Sequence, residues 1–161
     1  MKLDFNDYIR LRNARNKNIR LDSSDSLKLL KWGVIIETKM FWENRNSYLK
    51  DMRLFINGEI SFENYQKKFD KQLKDNYNKI SEFEKTPELV ESFLMSDQDN
   101  EFLIDKQEKA FCRLIGEIND ISNLYYVYEE TQFQNNSYGL EPLSAAQLRY
   151  FIRHKLKKIF K

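Results

Sequence analysis

Residues 61–85, SFENYQKKFDKQLKDNYNKISEFEK, place apolar side chains at Phe62, Tyr65, Phe69, Leu73, Tyr77, Ile80 and Phe83. Every step between them is three or four residues. That is the repeat of one helix face, not the two-residue alternation of a strand. The intervening positions are mostly Lys, Asp, Asn, Gln and Glu, so the segment is a strongly amphipathic helix. Ser61 stands where a hydroxyl can accept the first unpaired N–H groups. A stripe of rings at this spacing is core material rather than a ligand platform.

Upstream, Asn57-Gly58 ends another helix, because Gly can take the left-handed conformation that a helix terminus favours. That helix begins at Ser23 or Ser24 as the cap, with Asp25 near its positive end. Leu27, Leu30, Val34, Phe41, Tyr48, Met52 and Phe55 follow at helical spacings. Unbroken, it would be about 50 Å long at ~1.5 Å per residue, which is long for one compact chain. A bend or break is expected at Gly33 or within residues 44–47. Ile35, Ile36 and Met40 make the stretch between Trp32 and Trp42 apolar on more than one face, as expected of a segment covered from several sides.

Downstream, Thr86-Pro87-Glu88 reads as a helix start, with Pro in the first turn. A short helix to about Met95 is followed by the polar break of residues 96–100. A further helix over about 100–122 carries Ile104, Phe111, Leu114, Ile115, Ile118 and Ile121, and Cys112 beside that stripe reads as a small half-buried hydrophobe. Residues 123–143 do not fit a helix. Leu124, Tyr126 and Tyr128 alternate like a short strand or extended segment, and residues 135–139 form a turn. Ser144 and Gln147 have the spacing of a capping box. Ala145, Leu148, Ile152, Leu156 and Ile159 then define the last helix, whose outer face is basic. The expected fold is all-α, a bundle of about five helices with one irregular segment near 123–143. Residues 1–22 read as a basic N-terminal arm and 23–161 as a single helical domain.

Composition narrows the function. The 161 residues include only 4 Gly and 2 Pro, too few for a turn-rich β-sandwich or barrel. No apolar run approaches the ~18 residues of a membrane span, and the N-terminus has no signal-like apolar region. The expected location is the cytoplasm, or the stroma or matrix if an organelle genome encodes the chain. Asn, Lys and Ile total 46 residues while Ala, Gly and Pro total 10, a bias that follows AT-rich DNA. A single Cys and a single His leave no intramolecular disulfide and no multi-His or thiolate-rich metal site. No cofactor is expected. Nucleotide-binding Gly loops and His-Glu-x-x-His are absent. His154 stands in a run of cations, with no carboxylate at hand to orient it as a base. The chain therefore reads as a non-enzyme.

The net charge of +2 conceals strong local imbalance. Arg10, Arg12, Arg15, Lys17 and Arg20 form a run without an acid, which reads as a solvated stretch or as a contact for nucleic acid. Between 114 and 148 there is no Lys or Arg, only Glu117, Asp120, Glu129, Glu130 and Glu141 among charged residues. Tyr125, Tyr126, Tyr128 and Tyr138 lie in the same window. An anionic, Tyr-rich surface suits a basic protein: charge complementarity speeds encounter, and Tyr anchors with little entropy loss.

At LFINGEISFENYQKKF (residues 54–69) the chain resembles the colicin D-type bacteriocin immunity protein family. The pattern is a helix end, a Gly turn, Ile-Ser and an aromatic-bearing helix. Ala110-Phe111-Cys112-Arg113-Leu114-Ile115, then Tyr138-Gly139-Leu140-Glu141, then the closing helix from Leu148 to Ile159 follow in the same order. The likeness covers about residues 54–160, and the first fifty residues have no counterpart in it. It implies a small α-helical protein that binds and blocks a cognate nuclease toxin. On that expectation Glu117, Asp120, Glu129 and Glu130 stand in for phosphates, and Tyr125, Tyr126 and Tyr128 pack against the toxin. The competing expectation is a structural or accessory subunit that contacts RNA or protein through its basic ends.

Overall fold

A computed structural model describes residues 4–94, 104–124, 127–128 and 143–161. Seven helices occur among them: α1 Phe5–Asn16, α2 Ser23–Glu43, α3 Arg45–Ile56, α4 Phe62–Lys85, α5 Leu89–Leu94, α6 Lys106–Leu124 and α7 Ala145–Ile159. Two strands, β1 Val127–Tyr128 and β2 Leu143–Ser144, pair in parallel, Val127 with Leu143 and Tyr128 with Ser144. A ladder of two residues is a clasp rather than a layer, and the fold is all-α.

The helix expected over 24–57 breaks at Asn44, whose side-chain amide donates to the Met40 carbonyl. Asp22, not Ser23 or Ser24, caps α2 by accepting the Asp25 N–H. α3 ends on a Schellman turn: Gly58, at φ +75°, donates to the Phe55 carbonyl, and Glu59 donates to the Leu54 carbonyl. Ser61 caps α4 by accepting the Asn64 N–H. α5 begins slightly later than the Thr86-Pro87 signal, and the Thr86 and Pro87 carbonyls accept its first N–H groups. At α7 the capping box is complete. The Ser144 hydroxyl accepts the Gln147 N–H at 3.2 Å, and the Gln147 side chain accepts the Ser144 N–H at 2.8 Å. Ser144→Ala is expected to lower the unfolding free energy by about 1 kcal/mol, read as a shift in urea midpoint at unchanged slope.

Of the basic arm expected over 1–22, the described residues 4–22 do not behave as an arm. Phe5, Tyr8 and Leu11 of α1 are buried against Trp32 of α2, with Phe5 and Tyr8 rings 6.0 and 5.4 Å from the indole. Five cations obscure this in the sequence, because the apolar face of α1 is only three residues deep. Asn18 then closes α1 in the left-handed region, at φ 57°, with Ile19 donating to the Ala14 carbonyl. Asn tolerates that conformation better than most residues.

Two cores result. The smaller gathers Phe5, Tyr8, Leu11, Leu29, Trp32, Ile35, Ile36 and Val90. The larger gathers the buried residues of α3, α6 and α7 with Phe41 and the first half of α4. α2 enters the smaller core with its N-terminal half and reaches the larger at Phe41. α4 does the reverse, with Phe62 to Leu73 in the larger core and Ile80 and Phe83 against the smaller. These two long helices thus run antiparallel and tie the cores together.

That arrangement overturns the stripe read through Leu27, Leu30 and Val34. All three are exposed, Leu30 by 64%, and the buried face of α2 is Leu29, Trp32, Ile35 and Ile36. Leu30 and Val34 instead border a groove whose other wall includes Tyr77 and Ile80 of α4. No helix among the described residues is long and apolar enough to cross a membrane.

Candidate partner-binding surface

The C-terminal half of α6 carries the first two of the expected acidic residues. Phe111, Leu114, Ile115 and Ile118 are buried in the larger core. Glu117 and Asp120, three residues apart, share a face outside that stripe. Asp120 is exposed. Glu117 is half-buried, and Lys155 of α7 lies 2.6 Å from its carboxylate. The Lys155 ammonium also sits 5.1 Å from the centre of the Phe151 ring. Glu117 is therefore engaged within the fold, and of these two carboxylates Asp120 is the one turned outward. A charge count along 114–148 cannot find this, because the neutralising cation lies outside the window.

Tyr128 is the second residue of β1 and pairs with Ser144. The clasp brings the end of β1 beside the start of α7, so the chain between them leaves and returns at one corner. Tyr125, Tyr126, Glu129 and Glu130 lie outside the described residues.

The N-terminal cations divide. Arg10 bonds to Asp7 and Asp25, and hydrogen bonds from Arg10 and Lys28 hold the Asp7 carboxyl below its ordinary range. Arg12 pairs with the Glu84 carboxylate and donates to the Glu84 carbonyl at 3.3 Å. Both serve to dock α1. Arg15, Lys17 and Arg20 are exposed and form no ion pair among the described residues. Of the five cations expected to contact nucleic acid, Arg10 and Arg12 are thus tied into ion pairs within the fold.

The buried polar groups are structural. Asn76 donates to the Tyr48 hydroxyl at 3.1 Å, and Asp51 accepts from Lys68 and Gln72. Glu108 takes Lys39 at 2.7 Å and closes an Asp105–Glu108 capping box at the start of α6. That Asp-x-x-Glu spacing was present in the sequence and escaped notice. Burial pushes the Cys112 thiol above its ordinary range, so the thiolate that would make it a nucleophile is disfavoured. No group of three or more His, Cys, Asp or Glu side chains could hold a metal ion among the described residues.

Burial also raises four phenols, Tyr8 among them. Tyr77 is pushed up to about 12, by desolvation first and by the Glu37 carboxylate next. Tyr48 and Tyr65 rise further, mainly through desolvation. A phenol harder to ionise in the folded state stabilises the fold fully below its unfolded pKa of about 10 and loses that contribution as pH climbs beyond it. In an alkaline absorbance titration the buried Tyr8, Tyr48 and Tyr65 should lag behind the same chain in urea and ionise together with unfolding. Coincident titration curves in the two states would refute their burial.

No family model, no curated protein and no solved structure matches this chain.

Proposed function

We propose that the chain is a stoichiometric, non-catalytic inhibitor that blocks a nuclease toxin, as the immunity proteins it resembles do. It would present the end of α6 and the residues that follow to the toxin's cationic cleft. What supports this reading above all is the uninterrupted absence of cations over 114–148, with Asp120 facing solvent at the head of that stretch. Carboxylates there occupy positions that phosphates of the toxin's nucleic-acid substrate would take, and the tyrosines supply apolar area between them. Such an inhibitor needs no activated nucleophile and no metal. It needs a surface whose potential is opposite to that of its target, which raises the association rate and selects the partner.

The test uses a tRNA-cleaving nuclease domain of the colicin D type that the chain neutralises. Asp120→Lys combined with Glu129→Lys and Glu130→Lys is expected to weaken the complex by about 3 kcal/mol or more, since like charges would meet across a desolvated interface. Undiminished neutralisation by this triple variant would sink the assignment of the acidic surface.

A further inference from the structure

The outward face of α7 carries a pattern for which toxin blocking has no use. Ala145, Leu148, Ile152 and Ile159 are buried in the larger core. The opposite stripe, Tyr150, Arg153, His154, Lys157, Lys158 and Lys161, is exposed throughout, with Tyr150 at 70%. Each step along it is one or three residues, the charges on the helix advance by about 5.4 Å per turn, and Lys161 follows just past the C-terminus of α7. α7 contains no carboxylate.

Two other cations of this helix are already engaged. The Arg149 guanidinium lies over the Phe55 ring and donates to the Phe55 carbonyl, and Lys155 holds Glu117. Arg153 is steadied by a hydrogen bond to the Ile56 carbonyl at 3.2 Å. Lys157, Lys158 and Lys161 form no ion pair among the described residues. Between these charges the Tyr150 and His154 rings lie within 10° of parallel, with centroids 6.1 Å apart. A large, solvent-facing phenol beside a parallel imidazole is poorly explained by folding, since neither ring is covered.

We propose that this face binds single-stranded nucleic acid. Bases stack on the Tyr150 and His154 rings, and the phosphates run along Arg153, Lys157, Lys158 and Lys161. Flat rings interleaved with cations are the elements of sequence-tolerant single-strand binding: every base has a face to stack, and every phosphate a charge to neutralise. A duplex hides its base faces and could use only the cations. Insertion of α7 into a bilayer would need its apolar side, which is buried in the core, so a lipid surface could use only the cations.

The test is fluorescence anisotropy of a labelled oligouridylate with the full chain at several salt concentrations. Binding is expected, with a log–log salt slope approaching about −3 if all four cations neutralise phosphates. Tyr150→Ala with His154→Ala should weaken binding by about tenfold or more and leave the slope unchanged. Lys157→Ala, Lys158→Ala and Lys161→Ala together should cut the slope by about 2. All the substituted side chains are exposed, and circular dichroism of each variant checks that the helix content is kept. The proposal is overturned by failure to bind, by an affinity indifferent to loss of the two rings, by equal affinity for duplex RNA, or by capture on phosphatidylserine vesicles in place of the oligonucleotide. Toxin neutralisation by the lysine variants should be intact, which separates this surface from the acidic one.

Discussion

Trp32→Ala is expected to lower the unfolding free energy by about 3–5 kcal/mol, the usual range for deleting a fully buried indole. Trp32 has no exposed surface, and its ring meets Phe5 edge-on and Tyr8 at a tilt. It is the largest side chain of a core built from only eight buried residues. That core cannot refill the hole without moving α1, so the loss should fall near the top of the range. Small domains are stable by roughly 5–15 kcal/mol in total, and the variant should therefore unfold at markedly lower urea. Amide exchange should show α1 opening first. A loss below about 1 kcal/mol would mean that α1 is not packed on α2, and the basic-arm reading of residues 1–22 would return.

The second large effect is expected at the ion pair between α2 and α6. Glu108 is 3% exposed, and its carboxylate accepts Lys39 at 2.7 Å and the Asp105 N–H at 3.1 Å. Lys39→Ala strands a charge in the interior, and breaking a buried pair in this way costs about 3–5 kcal/mol. The helix N-terminus still faces Glu108 and offsets part of that penalty, so about 3 kcal/mol is the expected value. Glu108→Ala should cost at least as much, because it removes the α6 capping box as well. Lys39→Met combined with Glu108→Met should recover most of the loss, since a well-packed apolar pair can replace a buried ionic one. Chemical denaturation of the wild type, Lys39→Ala, Glu108→Ala and the combined Lys39→Ala/Glu108→Ala variant closes a double-mutant cycle. Additive losses would show that the two side chains do not interact.

How far the fold could be read from the sequence depended on whether each helix faces one partner or several. α4 and α7 each bury one stripe, that of α4 meeting the two cores in turn, and their periodicity matches the observed core at Tyr65, Phe69 and Leu73 and at Leu148, Ile152 and Ile159, whereas Tyr77, expected in the α4 stripe, is 49% exposed. α2 faces two cores. Its apolar residues are distributed around the helix, and Leu27–Leu30–Val34 satisfied helical spacing as well as the stripe that is buried. α1 was hidden by its cations, two of which turned out to be docking contacts to Asp25 and Glu84. The five expected helices are present, with the longest divided at Asn44 and α1 added to them.

The candidate surface was less legible, because charge counts along a chain ignore partners that folding brings from elsewhere. Glu117 and Lys155 are 38 residues apart in sequence and in contact in the fold. Asp120 has no such partner among the described residues and is turned to solvent. The opposite failure occurred on α7. Its outer face is legible in the sequence as basic, but the pairing of an exposed Tyr150 with a parallel His154 ring is not.

The most direct test of the proposed inhibitory role is a titration of a colicin D-type tRNA nuclease with the full chain, following tRNA cleavage. The expected result is a linear fall in activity that reaches zero at one equivalent, with the chain recovered intact from a complex of one copy each. Cleavage that persists at large excess, or that stops at a small fraction of an equivalent, would contradict stoichiometric blocking.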